Sequence, residues 1–517
     1  MRNIVLFVVF ISLLSIPCFS QTQFARAIGG ANYDCAYSII QTVDSGYAIV
    51  GHTKSYADTS DNHSFIIKLD KEFEIEWSKV VSSVLYSYSI AQTMDSGFVI
   101  CGLKYPLGNF FILKLNKLGD FEWEKLISGI CSNIFPTNDA GFIAIGRTDD
   151  FGAGDNDIFV VKLNSRGSIE WAKTIGGSRS DVGQSVFQTS DGGFIITGFT
   201  SSFGDGGDII VTKIDSIGLV EWTKIIGGTS SEQGNYVIQT IDNGFIITGY
   251  TWSFGAGGTD LFIIRLDSSG SLQWAKSVGG TSEDYGTSLA KLNDSDFVSV
   301  GCVSGYGAGM NDLLILKFDL TGTIEWIRAA GGGGYDFGRS ITISSDRGIV
   351  VAGNTYSFGA GSSDIFLLKF DINGNNCIST SIRPTVNNVT PVIRSVTPTV
   401  MNVAPYIRPE STTIINFTPN DTLICQSNNV SEKIIKPKET NITIIPNPFN
   451  SKCTIICPNV VKVMIYDLHG NIVFHKNNIN EKEITWQPVE SLPSGLYFVS
   501  ATTSYGTNIY RKIIYLK

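Results

Sequence analysis

Aspartates recur at fixed positions along most of this 517-residue chain, and regularly spaced carboxylates could bind a metal ion. One set directly follows glycine-rich loops: Asp208, Asp260, Asp312 and Asp364. Calcium sites combine carboxylates of this kind with backbone carbonyl groups. A residue that recurs in most copies of a repeat is explained more simply by turn chemistry, because an Asp side chain accepts hydrogen bonds from nearby backbone N–H groups. The sequence therefore predicts neither a metal site nor a cofactor.

A second set of aspartates lies in turns of the form Asp-x-Gly-aromatic, such as Asp191–Phe194. These turns resemble part of the Asp-box of sialidase-type β-propellers, but Ile196 and Ile247 stand where that motif has tryptophan. Glycoside hydrolysis would also need a close pair of carboxylates, which the sequence does not place. The arginines are scattered along the repeats: Arg147, Arg179, Arg265 and Arg339. We therefore predict no catalytic residue.

Four aromatic residues are better candidates for binding, because the repeat does not require them. They are Trp252, Tyr285, Tyr335 and Tyr356. Aromatic faces stack on sugars and on flat peptide surfaces, and they lose little side-chain entropy when they become ordered. We therefore predict that these residues contribute to a ligand-binding face.

The repeat that positions these residues is marked by tryptophans that each directly follow a Glu or a Gln. They are Trp77, Trp123, Trp171, Trp222, Trp274 and Trp326, at separations of 46, 48, 51, 52 and 52 residues. Each unit contains four runs rich in Val, Ile, Phe and Thr, which favour strands. Repeats of about 40–50 residues with four short strands are typical of propeller blades. The sequence therefore predicts an all-β fold, a seven-bladed β-propeller over residues 21–375.

The number of units rests on the turns. Seven units carry a turn aspartate: Asp44, Asp95, Asp139, Asp191, Asp242, Asp294 and Asp346. Only six units carry the tryptophan strand, but Phe24–Gly30 aligns with Trp171–Gly177. We therefore predict that the N-terminal strand completes the last blade and closes the ring, which removes an open sheet edge.

Strand direction predicts where a ligand would bind. The turns from strand one to two and from strand three to four are short, and they share one end of each unit, because antiparallel strands alternate in direction. The opposite end carries longer loops, and binding residues usually lie on such loops. The four candidate aromatics fall on or beside these long loops in units five to seven.

The segments that flank the repeats have different compositions. Residues 1–20 resemble a secretory signal peptide, with an apolar core too short to span a bilayer. Residues 376–440 are rich in Thr, Pro and Val and predict an extended spacer. Cys377 and Cys425 lie near the ends of that spacer, and we predict a disulfide between them. With a formal net charge of −9 and no long basic run, a nucleic-acid partner is not expected.

Residues 441–517 form a third region, a compact β module. Its motifs are Ile445-Pro446-Asn447-Pro448-Phe449, a hydrophobic strand ending at Gly470, and Leu492-Pro493-Ser494-Gly495-Leu496-Tyr497. In these motifs it resembles the type A C-terminal sorting domain of type IX secretion substrates. The resemblance implies that this module is a small β-sandwich recognised by the type IX secretion machinery. It also implies delivery to the medium or to the outer-membrane surface of a Gram-negative bacterium.

Together these features predict a secreted or surface-bound monomer, with its signal peptide removed, that binds protein or glycan without catalysis. A polysaccharide- or peptide-degrading hydrolase or lyase on the same scaffold is one alternative. A structural component of a surface layer is the other. The sequence does not distinguish among these three functions, and it does not identify a ligand.

Overall fold

Runs of β-branched and aromatic residues between glycine turns form antiparallel strands throughout the chain that the structure describes. The structure is a computed structural model and describes residues 22–56, 61–104, 108–405, 408–410, 412–427, 443–445, 450–456, 460–467, 471–477, 483–489, 491–503 and 508–517. The signal peptide predicted for residues 1–20 lies outside these ranges. Within them, no helix long and apolar enough to cross a membrane is found. The chain divides into two compact bodies, Met1–Asn429 and Val430–Lys517.

The repeats contain short strands of similar length. Their bounds are β1 (Gln23–Gly29), β2 (Asp34–Gln41), β3 (Tyr47–Thr53), β4 (His63–Leu69), β5 (Ile75–Gln92), β6 (Phe98–Lys104), β7 (Asn109–Leu115), β8 (Phe121–Ser128), β9 (Ile130–Pro136), β10 (Phe142–Thr148), β11 (Asp157–Leu163), β12 (Ile169–Gly176), β13 (Asp181–Gln188), β14 (Phe194–Thr200), β15 (Asp208–Ile214), β16 (Val220–Gly227), β17 (Glu232–Gln239), β18 (Phe245–Thr251), β19 (Asp260–Leu266), β20 (Leu272–Gly279), β21 (Tyr285–Lys291), β22 (Asp296–Ser304), β23 (Asn311–Asp319), β24 (Ile324–Ala330), β25 (Asp336–Ile343), β26 (Ile349–Thr355) and β27 (Asp364–Phe370).

These strands form four-stranded antiparallel units in chain order, with one exception at each end of the series. Strand β5 serves the first two units: its first half pairs with β4 and its second half with β6. Strand β1 pairs with β27, with Phe24 opposite Lys369, and so supplies the fourth strand of the seventh unit. The N-terminal strand therefore has the pairing expected from the sequence.

The hydrophobic cores lie between neighbouring units. Ile145 and Ile158 of the third unit pack with Val186 and Ile210 of the fourth, all fully or almost fully buried. The seventh and first units share a core in the same way, in which Ile28 is a buried member. Each unit is thus a thin sheet whose two faces are covered by its neighbours.

The repeated tryptophans pack on glycines of the following unit. A Cβ atom added to Gly119, whose φ is +77°, would lie 2.7 Å from the ring of Trp77. The same arrangement joins Trp123 to Gly167 and Trp326 to Gly374. Between the seventh and first units the pair is replaced by Phe24 and Phe73, whose ring centroids are 4.7 Å apart.

The described residues of 376–427, which we call the belt, are extended and lie along the edges of the units; residues 428–440 of the predicted spacer lie outside the described residues. Their strands are β28 (Ser379–Ser381), β29 (Thr385–Asn388), β30 (Val392–Ser395), β31 (Thr399–Asn402), β32 (Arg408–Glu410), β33 (Ile414–Asn416) and β34 (Asn420–Ser427). Each pairs with the fourth strand of a unit, visiting units six, five, four, three, two, one and seven in that order. The belt therefore covers the outer edge of every unit.

The belt keeps a regular period because one short strand serves one unit. Prolines recur every seven residues between its strands: Pro384, Pro391, Pro398 and Pro405. The side chains of Asn388 and Asn402 accept hydrogen bonds from Lys276 and Lys173 at 2.5 and 2.6 Å. A disulfide joins Cys377 to Cys425, and so ties the two ends of the belt together.

The second body contains two antiparallel sheets. Its strands are β35 (Thr443–Ile445), β36 (Cys453–Ile456), β37 (Val460–Tyr466), β38 (Ile472–Asn477), β39 (Glu483–Trp486), β40 (Gly495–Thr503) and β41 (Asn508–Tyr515). One sheet has the order β35-β36-β39 and the other β38-β37-β40-β41. Trp486 of the first sheet and Tyr497 of the second meet edge to face in a shared core, with ring centroids 5.7 Å apart.

Candidate functional site

The first strands of all seven units line one cavity of about 820 Å³. These first strands are β2, the second half of β5, β9, β13, β17, β21 and β25. The residues around the mouth come from the ends of second strands and from the loops that follow them, such as Arg147 and Trp252. The cavity therefore opens at the end of the units that carries the long loops, which we call the long-loop end. The opposite end is the short-turn end.

Amide side chains on the cavity wall are held in place by neighbouring units. Gln233 donates to the Asn235 side chain at 2.8 Å and accepts from the Tyr250 hydroxyl at 3.2 Å. Asn235 in turn donates to the carbonyl of Gly286 in the next unit at 2.7 Å. Because these bonds fix the amides, the polar surface is arranged before a ligand arrives.

Aromatic rings form a large part of the wall. Tyr37 and Tyr88 meet edge to face with ring centroids 5.4 Å apart. Burial raises the pKa of Tyr88 to about 12, so its hydroxyl is neutral and can donate or accept a hydrogen bond. Trp252 stands at the rim with half of its surface exposed. A ring in that position can stack on a ligand without being needed for the core.

Two arginines lie in the wall, Arg147 from the third unit and Arg339 from the seventh. The sequence does not indicate that these two arginines line the same cavity. Arg339 lies 5.5 Å from the ring of Tyr37 and 5.3 Å from that of Phe337. Burial, and next the charge of Arg339, lower the pKa of His52 to about 4 and keep that imidazole neutral.

The four aromatics predicted from the sequence separate into two pairs. Trp252 and Tyr285 line the cavity. Tyr335 and Tyr356 do not line it; their centroids are 6.2 Å apart, and Tyr356 also meets Tyr33. A role in binding stays a prediction for all four. Sequence reasoning missed Tyr37, Tyr88 and the arginines. Tyr37 and Tyr88 stand at the same position of the first two units, so a search for residues without counterparts does not find them.

Pairs of buried carboxylates recur at the long-loop end, one at the start of a third strand and one at the start of the next first strand. Oxygens of Asp312 and Asp336 lie 2.1 and 2.6 Å from the position of a Cβ added to Gly331, so the two groups converge. Burial, and then the neighbouring carboxylate, raise the pKa of Asp312 to about 6. Asp208 and Asp260 behave alike, each with a pKa of about 6.

These paired carboxylates support the fold, because they accept hydrogen bonds from the backbone of nearby loops. The second oxygen of Asp312 accepts hydrogen bonds from the backbone N–H groups of Ala308 and Gly309 at 3.0 and 3.2 Å. Asp336 similarly accepts from Gly332 at 2.7 Å. Among the described residues, no group of three or more His, Cys, Asp or Glu is arranged to hold a metal ion.

At the short-turn end, a cation from each third strand bonds to an acidic turn residue. Lys162 lies 2.8 Å from both Asp139 and Glu170, and its side chain is almost fully buried. The other pairs are Lys68–Asp44, Lys114–Asp95, Lys213–Asp191, Arg265–Asp242, Lys317–Asp296 and Lys369–Asp346. In the sixth unit Asp296 replaces the predicted Asp294, because the turn lacks the glycine. The short-turn end is similar in all seven units and its charged groups are already paired, so few groups there are available to a ligand.

The described lining of the cavity contains few groups that could act in catalysis. Among the described residues that line it, Glu283 is the one carboxylate, and it is exposed. Hydrolysis of glycosidic bonds ordinarily uses two carboxylates on either side of the bond. The described lining does not provide such a pair.

Part of the C-terminal sorting motif can be placed in the second body. Gly495 begins β40, and the buried Tyr497 donates its hydroxyl to the carbonyl of Pro493 at 2.6 Å. Pro446, Asn447, Pro448, Phe449 and Gly470 lie outside the described residues.

The family described as secretion system C-terminal sorting domain matches residues 443–516. These residues are a type IX secretion sorting domain. The sorting domain implies interaction with the type IX secretion machinery and delivery outside the cell or to its surface. No curated protein matches the chain.

Proposed function

We propose that this protein is an exported, non-enzymatic β-propeller that binds a glycan in the cavity at its long-loop end. The observation that carries the proposal is the cavity itself, to which the first strand of every unit contributes. Its volume of about 820 Å³ falls within the range of about 300–1,000 Å³ typical of small-ligand sites. The sorting domain would deliver this binding module to the medium or the cell surface.

The propeller arrangement is supported by the contacts between consecutive units. Each first strand touches the first strand of the next unit, and β25 touches β2. Ser340 of the seventh unit accepts a hydrogen bond from the Ile39 backbone of the first at 3.1 Å. With the β1–β27 pairing, these contacts favour a ring of seven blades closed by the N-terminal strand.

Ring closure can be tested by deleting residues 21–30. The deletion removes β1, which lies between β27 and β34, and so exposes two strand edges. We expect aggregation or a large drop in the unfolding temperature. An unfolding temperature equal to that of the parent would contradict the closed ring.

A glycan fits this cavity better than a peptide. Peptides commonly add to a free strand edge, but backbone groups at the edges of the first strands are already bonded to neighbouring units, as the Val186 N–H is to the Asn133 side chain at 3.3 Å. Sugars instead present hydroxyl groups to fixed amides and a ring face to an aromatic side chain. The cavity has both, in Gln233, Asn235 and Trp252.

Binding can be tested on an array of neutral and acidic glycans with the mature chain. We expect Trp252→Ala to weaken binding about tenfold, or about 1.4 kcal/mol. The control is Tyr356→Ala, an aromatic of similar exposure that does not line the cavity. Unchanged binding by Trp252→Ala together with loss by Tyr356→Ala would place the site elsewhere on the long-loop end.

Export can be tested by removing residues 441–517. Because the predicted signal peptide serves only the inner membrane, the shortened protein should remain in the periplasm. Normal amounts of it on the surface or in the medium would contradict a role of the sorting domain in export.

A further inference from the structure

We infer that the ligand of this cavity carries negative charge: an acidic oligosaccharide whose carboxylate or sulfate groups are bound by Arg339 and Arg147. The inference rests on the proposed function, because it names the chemical class of the ligand in the same cavity. It begins with the partners of the cations in this protein.

Arg147 and Arg339 lack the acidic partners that the cations of the third strands have. Every third strand of the repeats places a Lys or Arg against a carboxylate at the short-turn end, as Arg265 does with Asp242. Within the described part of the chain, neither Arg147 nor Arg339 forms an ion pair. A guanidinium that has lost water without gaining an anion is costly, and an anionic ligand would remove that cost.

Arg339 is fixed in place by contacts that leave its end groups available. Its Nε donates to the Asn354 side chain at 3.4 Å, and the rings of Tyr37 and Phe337 flank it. Its terminal NH₂ groups make no hydrogen bond to any described residue. The planar fork of an arginine matches the two oxygens of a carboxylate or a sulfate.

The charge of the lining agrees with this assignment. Two arginines and one glutamate face the cavity, which gives the wall a formal charge of +1, whereas the whole chain has −9. The glutamate, Glu283, is exposed, while both arginines are partly buried. A positive cavity in a negative protein attracts an anion selectively to this one place.

The test compares glycans that differ only in charge on the array: oligogalacturonates, their methyl esters, and sulfated and unsulfated galacto-oligosaccharides. We expect the full mature chain to bind an acidic member of these pairs at least tenfold more tightly than its neutral match, and more weakly as salt rises. Preference for the carboxylated or the sulfated member identifies which anion is recognised.

Substitutions assign the anion to the arginines. Arg339→Gln and Arg147→Gln should each weaken binding of the acidic glycan at least tenfold and leave binding of its neutral match unchanged. Arg179→Gln, at an exposed position away from the cavity, is the matched control and should change neither. Arg339→Lys should recover part of the loss if its charge contributes, and thermal unfolding checks that each variant is folded.

Three outcomes are decisive. Equal binding of charged and neutral members, with no effect of either arginine substitution, overturns the inference and leaves the proposed function intact. Binding of neutral glycans alone does the same. Failure to bind any glycan on the array overturns both.

Discussion

The two ends of the repeat units use the same residue type under opposite conditions. At the short-turn end, partial burial raises the pKa of Asp139, but hydrogen bonds from Lys162 and Thr137 outweigh it and lower the pKa to about 2. At the long-loop end, burial and a second carboxylate raise the pKa of Asp312 to about 6. At the first end the carboxylates are paired with cations of the third strands, whereas Asp312 forms no ion pair with any described residue. At the long-loop end, residues that recur from unit to unit support the fold, whereas residues that differ between units line the cavity.

The largest expected effect tests the tight packing at the short-turn end. Gly119 and Gly305 have nearly equal φ angles, +77° and +78°, but a Cβ at Gly119 would strike Trp77, whereas one at Gly305 would meet nothing within 4 Å. We expect Gly119→Ala to lose about 3 kcal/mol of unfolding free energy, from backbone strain and overpacking. Gly305→Ala, at the long-loop end, should lose about 1 kcal/mol from strain alone.

Denaturant unfolding of the two variants measures the difference. Equal losses would mean that the tryptophan contact adds nothing beyond the backbone conformation, and the contrast in packing between the two ends would then be wrong.

The second prediction concerns the paired carboxylates. Because the folded pKa of Asp312 is about 6, above the ordinary value of 3.8, the folded state binds its proton more tightly than the unfolded state does. The stability this gives is present below pH 4 and is lost as the pH rises through about 6, a change of roughly 2–3 kcal/mol for this residue. Asp312→Asn should flatten this dependence and be more stable than the parent at pH 8.

Urea unfolding between pH 4 and 8 in a chelating buffer checks the result, so that only protons can neutralise the pair. The exposed Asp149, changed to Asn, is the control and should leave the profile unchanged. If the stability of the parent rises between pH 4 and 8 as steeply as that of Asp312→Asn, the folded state does not bind the Asp312 proton more tightly than the unfolded state.

A smaller effect of opposite sign is expected at the short-turn end. The folded pKa of Asp139 is depressed to about 2, so its stabilisation is present above pH 4 and is lost as the pH falls toward 2. Asp139→Asn should therefore cost about 0.5–1 kcal/mol at pH 7, since the carboxylate is half exposed.

The cost should disappear near pH 2, which unfolding curves at both pH values would reveal. Glu170→Gln removes the other partner of Lys162 and is the matched comparison. A cost that persists at pH 2 would assign the effect to packing and not to charge.

The smallest effect on stability should come from the cavity rim. Trp252 is half exposed, so Trp252→Ala should change the unfolding free energy by less than about 0.5 kcal/mol, even though it weakens ligand binding. A loss of several kcal/mol would show that the ring supports the fold and would remove it from the candidate site.

Much of the repeat could be predicted because its signals are local. Tryptophan spacing and the Asp-x-Gly turns predicted the four-stranded units, and the missing seventh tryptophan predicted the pairing of β1 with β27. The long run of β5 follows from a local feature as well, because no Gly-Gly pair interrupts it.

The belt and the cavity depend on distant contacts, so their positions could not be predicted in this way. Belt strands as short as Ser379–Ser381 are polar, and they form strands only because a unit edge is available beside them. Arg147 and Arg339 belong to different units, and nothing in either local sequence indicates that they share a wall. The disulfide could be predicted from the sequence because few cysteines lie near the ends of the belt.

The disulfide between the two ends of the belt also determines how the molecule carries mechanical force. An export machine that pulls on the sorting domain draws on the chain that leaves the belt just after Cys425. The covalent bond passes that tension directly to Cys377, at the end of the seventh unit. The belt strands between the two cysteines are thereby bypassed, so traction on the C-terminus would not peel them one after another from the sheet edges that they protect.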